Sequence, residues 1–175
     1  RAMANQALMM LNKANPDKCI ELCDKSLAIE PDNKAAMQNK GLAKLMKRDW
    51  TGWLEYWTAL GVKHREKNDY GLPEWNGEPG RLLVYGEQGV GDELMCATLI
   101  EDVMKDHEIV FDTDSRLQEL FDRTFDCPVY GTRYKHESPI LADHELDYQV
   151  AIGQLAYTYR LKGQFPGEPY LKVDR

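Results

Sequence analysis

The sequence predicts an α/β protein in two parts: α-hairpins over residues 1–62, then a small parallel sheet with flanking helices over residues 81–175, joined by a linker at 63–80 that packs on the second part. Three observations carry this. Up to about residue 62 the apolar residues recur at helical spacing. After residue 80, short apolar, β-prone runs alternate with helical segments, the pattern of βαβ units and a parallel sheet. Between them, Val62–Gly80 is a polar run followed by Pro73-Glu74-Trp75-Asn76-Gly77-Glu78-Pro79-Gly80, whose Pro and Gly density marks a loop. Trp75 is too large and apolar to be left in water, so the loop is expected to lie on the second part.

Composition narrows the function classes. The chain has 175 residues, 43% hydrophobic and 29% charged, ordinary values for a water-soluble protein. A net charge of −7 argues against a nucleic-acid partner. No apolar run approaches the ~20 residues of a membrane span, and Arg1–Leu11 lacks the basic region and apolar core of a secretory leader. Four cysteines (Cys19, Cys23, Cys96 and Cys127) fit a reducing compartment, and a cytoplasmic location is expected. Cys19 and Cys23, four apart on a helix, have no histidine or second pair to complete a metal set. They read as small core residues, and no metal is expected.

In the first part, Asn15-Pro16-Asp17 punctuates the chain, with Pro16 suited to a first helical position. Cys19, Ile20, Leu22, Cys23, Leu27 and Ile29 form a helical face that Pro31-Asp32-Asn33 ends. A further helix runs from Lys34 to about Lys47, and another, starting near Asp49, carries Trp50, Trp53, Leu54, Trp57 and Leu60. Loops this short make neighbouring helices antiparallel. The helices resemble tetratricopeptide repeats, whose period is about 34 residues. Cys19 to Asn33 fits a second repeat helix with its closing Pro31, and Gly41 falls on the repeat's glycine position, opposite Ala7. Trp53 and Trp57 depart from the repeat's usual small and aromatic residues, so the second repeat is deviant. A plain pair of helical hairpins is the alternative. Because fewer than three repeats are rarely stable alone, Trp50, Trp53, Trp57 and Trp75 are expected to be buried where the helices lean on the rest of the chain.

The second part is organised around Arg81–Met104. Leu82-Leu83-Val84-Tyr85 reads as a buried strand, Gly86-Glu87-Gln88-Gly89-Val90-Gly91-Asp92 as a turn, and the rest as a helix. Such turns lie at the carboxyl end of the strand, where open α/β sheets place ligands. Gly89 and Gly91 are expected to take positive φ or to let another molecule approach the backbone. The turn is neither a dinucleotide fingerprint nor a P-loop, since it has no third glycine and no Gly-Lys-Ser/Thr, and no cofactor is expected. Asp92 reads either as the N-cap of the helix or as a carboxylate aimed into a cleft as a general base. Glu93 reads as a first-turn partner of the helix dipole. Further strands follow at Glu108–Asp112, Pro128–Tyr130 and Leu146–Ile152, with helices at Ser115–Phe121, capped by Ser115, and at Gly153–Leu161. Residues 131–146 are polar and turn-rich, and hold His136 and His144. His64 sits in a solvated charge run.

The order of these elements, with Gly52-Trp53-Leu54-Glu55-Tyr56-Trp57, Trp75-Asn76-Gly77-Glu78-Pro79 and above all Glu87-Gln88-Gly89-Val90-Gly91-Asp92, resembles bacterial tetratricopeptide proteins that carry a glycosyltransferase-like domain. That domain is similar to heptosyltransferases and, more distantly, to O-linked N-acetylglucosamine transferases. The resemblance runs from about residue 5 to 172, and Pro169-Tyr170-Leu171 matches where that family closes its first Rossmann-like half. It implies the GT-B arrangement, in which a second half grips a nucleotide-sugar donor and the first half faces a protein or glycan acceptor. The second half is missing from these 175 residues, so the chain alone is expected to be inactive. Asp92 takes the position of the aspartate proposed to deprotonate the acceptor. Glu87, Gln88, Gly89 and Gly91 would line the pocket, and Arg160 could bind an anionic group. Two other readings stay open: a non-catalytic scaffold with a degenerate α/β domain, and a small-molecule enzyme that uses the turn as an anion site, against which the acids argue.

Overall fold

The computed structural model describes residues 2–60, 69–133, 138–161 and 169–173. His64, His136 and residues 162–168 of the exit lie outside them. The chain divides into two compact units, Arg1–Lys63 with Arg160–Gln164, and His64–Tyr159 with Phe165–Arg175.

Among the described residues the first unit holds four helices: α1 (Ala2–Asn12), α2 (Pro16–Ile29), α3 (Lys34–Met46) and α4 (Gly52–Leu60). Two asparagines start the middle pair. Asn15 accepts from the Lys18 N–H and Asn33 from the Ala36 N–H, each at 3.1 Å, satisfying donors that a helix start leaves unpaired. Pro16 opens α2, as its fixed φ favours. The interior is made of small residues, Ala4, Ala7, Cys19, Cys23, Ala36 and Ala43, ringed by Met10, Leu11, Ile20, Leu22 and Leu27. Small side chains let the helices approach closely. The tightest crossing is α3 on α4, where a Cβ on Gly41 would lie 2.6 Å from the Tyr56 nitrogen and 2.7 Å from the Gly52 carbonyl oxygen. Asn39, buried in α3, ties it to α1 by donating to the Ala4 carbonyl at 3.0 Å.

α1 and α3 end alike. Ala14 (φ 53°) and Arg48 (φ 61°) are left-handed and stand 34 residues apart. The next N–H in each case, from Asn15 or Asp49, returns to a carbonyl five residues back, at Met10 or Lys44, at 2.9 Å. This is the Schellman pattern, formed here without glycine. Three expectations are corrected. Ile29 is 74% exposed, because it is the last residue of α2 and projects past the small-residue interior. Trp50 and Trp53 are only half-buried, whereas Trp57 and Trp75 are buried. α4 starts at Gly52 rather than near Asp49, since the Asp49 side chain instead closes a turn by accepting from the Thr51 N–H and hydroxyl.

The second unit is α/β, with a four-stranded, all-parallel sheet: β1 (Leu82–Tyr85), β2 (Ile109–Asp112), β3 (Val129–Tyr130) and β4 (Tyr148–Ala151), in spatial order β3-β2-β1-β4. Its helices are α5 (Val90–Cys96), running through a 3₁₀ turn into α6 (Ile100–Asp106), then α7 (Gln118–Asp122), α8 (Ile140–Asp143) and α9 (Ile152–Tyr159). β1 and β2 are buried throughout, as expected of parallel strands covered on both faces. Leu83 and Val110 meet Ile140 of α8 on one face. From β2, Phe111 stacks on Phe121 at 5.3 Å, and Phe125 stacks on Tyr170 at 6.0 Å.

The loop before β1 joins the sheet edge. Trp75 N–H donates to the Gln149 carbonyl and Gln149 N–H to the Pro73 carbonyl, both at 2.9 Å, and the Trp75 indole closes on the Glu78 carbonyl. Positive φ falls on Gly71 and Gly77 in this loop, not on Gly89 or Gly91. Ser115 caps nothing: α7 starts three residues later, after a turn. α8 arises inside the polar 131–146 stretch, and of its residues Ile140 is the buried one. Among the described residues no helix is long and apolar enough to cross a membrane.

The Gly41–Gly52 crossing yields a test. Gly41→Ala should lower stability by about 1–3 kcal/mol, because the added methyl meets backbone that cannot move aside. Chemical denaturation would show this as a lower midpoint. An unchanged midpoint would mean that α3 and α4 can separate at no cost.

Candidate functional site

The strand order sets where a ligand can sit. From β1 the chain winds outward through β2 and β3, then returns to place β4 on the other side of β1. The loops leaving β1 and β4 therefore diverge and leave a crevice at their carboxyl ends, the switch point at which open α/β sheets bind ligands. Gly86–Gly89 leaves β1 into α5, and Ile152-Gly153 leaves β4 directly into α9. Five of the expected site residues lie together, Glu87, Gln88 and Gly89 on the first loop and Gly91 and Asp92 in the first turn of α5. The sixth, Arg160, follows α9, is 4% exposed and falls in the other compact unit.

Asp92 is not the N-cap. The cap is Gly89, and Asp92 is the third helical residue, with its Oδ2 accepting the Gly89 N–H at 3.1 Å. This is the returning half of a capping box, possible without a cap side chain. Asp92 is half-buried, Gly89 is exposed, and a Cβ on Gly91 would meet nothing within 4 Å. The turn thus offers a carboxylate beside open space.

Glu87 lies deeper, 3% exposed. Its Oε1 accepts from the Gln88 amide at 3.1 Å, and the Gly153 N–H at the start of α9 is near enough to pull its pKa down. Its Oε2 is buried with no hydrogen-bond partner. Burial raises its pKa from 4.5 to about 7, against the lowering pull of the Gln88 amide and the Gly153 N–H.

Beneath the turn lies a polar network that the sequence did not announce. Glu93, expected as an exposed dipole partner, is wholly buried. It accepts from the Thr113 hydroxyl at 2.5 Å and the Asp114 N–H at 3.0 Å, and it pairs with the equally buried Arg133. Gly86 is required here, since any Cβ would collide with the Glu93 carboxylate. Arg133 donates onward to the Gln88 carbonyl at 2.6 Å and to Asp114 at 3.2 Å. Asp114 also takes a two-pronged contact from Arg116, which holds its carboxyl well below the usual carboxylate range. Asp112, ending β2, stands where a dinucleotide fold keeps its ribose-binding acid. Here its two oxygens accept from the Tyr70 hydroxyl, from both the Thr132 N–H and hydroxyl, and from the Arg133 N–H, at 2.6–3.1 Å. That acid is fully occupied, a second argument against a dinucleotide. The one signal for this network was three polar residues, Asp112-Thr113-Asp114, closing an apolar strand. Arg133 had none, because its stretch reads as solvated turn.

At the other end of the sheet, a cavity of about 310 Å³ opens beside the first residues of β2 and β3, lined by His107, Asp126, Cys127 and His144 among others. Burial pushes the Cys127 thiol up to about 12, which leaves no thiolate for nucleophilic work. Cys19 and Cys23 are buried in the helical core, and burial likewise pushes Cys23 up to about 12. Among the described residues no group of three or more His, Cys, Asp or Glu is arranged to hold a metal.

No family model matches the chain, and no solved structure matches it. It is similar to Protein FlbA of Caulobacter vibrioides, at 25% identity over 182 residues. The match covers 91% of this chain but 30% of FlbA, so the chain spans less than a third of that relative's length.

Two outcomes follow from the buried acids. Removing Arg133, as in Arg133→Met, should cost about 3–5 kcal/mol, since it strands the Glu93 carboxylate in the interior. The paired change Arg133→Met with Glu93→Leu should recover much of that loss in urea denaturation, whereas an equal loss in both would show that Glu93 needs no partner. For Glu87 the folded chain holds the proton more tightly than the unfolded chain, so its contribution is most favourable below about 4.5 and is lost as pH rises to about 7. Relative to Glu87→Gln, the parent should lose about 3 kcal/mol across that window. Parallel stability–pH curves for the two proteins would contradict the shift.

Proposed function

We propose that the chain is the acceptor side of a sugar-nucleotide-dependent glycosyltransferase. In this reading the α/β unit is the first Rossmann-like half of a GT-B arrangement, and the helices are tetratricopeptide-like repeats that bind a protein or polymer acceptor. The observation that carries it is a carboxylate, Asp92, set beside open space at the carboxyl end of β1, next to the switch point with β4. The repeat reading is supported by the two left-handed helix ends 34 residues apart and by the close Gly41 crossing. In the reaction, the free oxygen of Asp92 takes the proton of an acceptor hydroxyl. The acceptor's hydroxyl oxygen then bonds to the donor's anomeric carbon as the bond from that carbon to the nucleoside diphosphate breaks, and the diphosphate leaves with the electron pair. The donor belongs to a second half, because holding both reactants in line is what makes the step fast.

One observation favours a silent scaffold instead: Asp92 already serves the fold by accepting the Gly89 N–H. Asp92→Asn separates the two. Asparagine keeps an oxygen for that bond but cannot take up the acceptor's proton. In a chain carrying both halves, the variant should fold as the parent does and lose sugar transfer by a factor of about 10²–10⁴. Transfer at the parental rate would leave Asp92 a structural residue. The 175-residue chain alone should show no turnover with any nucleotide-sugar donor, and measurable turnover would mean that the donor site lies within it.

A further inference from the structure

The cavity of about 310 Å³ lies at the amino ends of β2 and β3, away from the crevice at the carboxyl end of β1. Its size is at the lower end of the range of small-molecule sites. The apolar lining includes Ile109 and Val110, both buried in β2, and Met104 of α6. Apart from the weakly donating Cys127 thiol, the polar side chains that line it offer acceptors. His107 is fixed by the Gly80 carbonyl, 3.1 Å from its Nδ1, and by edge-on packing with Trp75 at 5.2 Å. A carbonyl can only accept, so Nδ1 carries the hydrogen and Nε2 of the neutral ring is an acceptor. His144 places its Nε2 2.8 Å from the Tyr130 hydroxyl, which also lies 3.2 Å from the Asp143 carboxylate. The hydroxyl donates to Asp143 and accepts from Nε2, so Nδ1 of the neutral His144 ring is again an acceptor. Glu108 and Asp126 also line the cavity. Both are exposed, and among the described residues neither is paired with a cation and no lysine or arginine lines the space.

We propose that this cavity binds a small organic cation, an ammonium group carried on an apolar body, because its lining joins an apolar wall to two unpaired carboxylates and two imidazoles that each keep an acceptor nitrogen. An ammonium has three N–H donors and no acceptor, the complement of such a lining. Glu108 and Asp126 attract its charge, while its body covers Ile109, Val110 and Met104. An anionic molecule would meet two acids and no cation. A neutral alcohol could donate a hydrogen bond but would forgo the charge attraction. Among the described residues no His, Cys, Asp or Glu group is arranged to hold a metal ion, so the positive charge comes on an organic body. The site stands apart from the sugar-transfer reading, since no residue of the β1 turn lines it.

The test titrates the isotope-labelled chain with three probes that share one aromatic body: phenethylamine, phenethyl alcohol and hydrocinnamate. The readout is the amide signals of Ile109, Val110 and Cys127, with the ring signals of His107 and His144. The amine should shift these signals saturably, and its affinity should fall as added salt screens the two carboxylates. The alcohol should bind about fivefold more weakly or worse, and hydrocinnamate should not bind. The double variant Glu108→Gln, Asp126→Asn changes only exposed groups and should fold as the parent does. In it, amine affinity should drop about fivefold, toward that of the alcohol. Equal binding of amine and alcohol would overturn the proposal, as would saturable binding of hydrocinnamate. So would an amine that does not bind, or that shifts only signals elsewhere in the chain, and a folded double variant with parental affinity for the amine. None of these outcomes depends on whether Asp92 acts as a base.

Discussion

The α/β unit depends on one buried ion pair. Glu93 on α5 meets Arg133 from the loop after β3, and neither side chain reaches solvent. Two charges out of water are tolerated when further hydrogen bonds offset their lost hydration. Thr113, Asp114 and the Gln88 carbonyl supply such bonds. The consequence is geometric. The loops leaving β1, β2 and β3 are tied to one another at the carboxyl edge of the sheet, so the glycine turn stands on a rigid polar base. Gly86 belongs to the same constraint, because the Glu93 carboxylate occupies the space where a Cβ would be. An all-apolar arrangement could be as stable, but it would not define the register of three loops so narrowly.

Above this base, the acids of the turn divide their roles by depth. Glu93 is wholly buried and paired, and serves the fold. Glu87 is almost as deep, and its burial raises its pKa to about 7. Asp92 is the shallowest, half-buried, and spends one oxygen on the Gly89 N–H. Burial, not residue type, separates a structural carboxylate from one available for chemistry. Of the three, only Asp92 is part-exposed.

The helical unit rests on a different principle. Its interior is alanine and cysteine, with glycine at the closest crossing. Small side chains bring the backbones close, and two asparagine caps and a buried asparagine bond add to the packing. The same left-handed break recurs 34 residues apart although one instance is alanine and the other arginine. The hydrogen bonds of the break, rather than a glycine, impose the turn.

The sequence by itself determined the fold class of the second unit and the position of its turn. Short apolar runs separated by helical segments permit few arrangements other than a parallel sheet, and glycines after Leu82–Tyr85 mark the place where that sheet hands over to a helix. The helix starts at Pro16 and Lys34 were equally legible, being marked by the local punctuation before each. What only the tertiary structure decided was which acid does what. Asp92 and Glu93 are adjacent and look alike in sequence, yet the helix turns one toward open space and the other into the core, beside an arginine forty residues further along. Ion pairs of that separation leave no periodic trace, because the partner's neighbours are chosen for their own turns. The same reason hid α8: its one anchored residue, Ile140, is buried by β1 and β2, which no local pattern around it records.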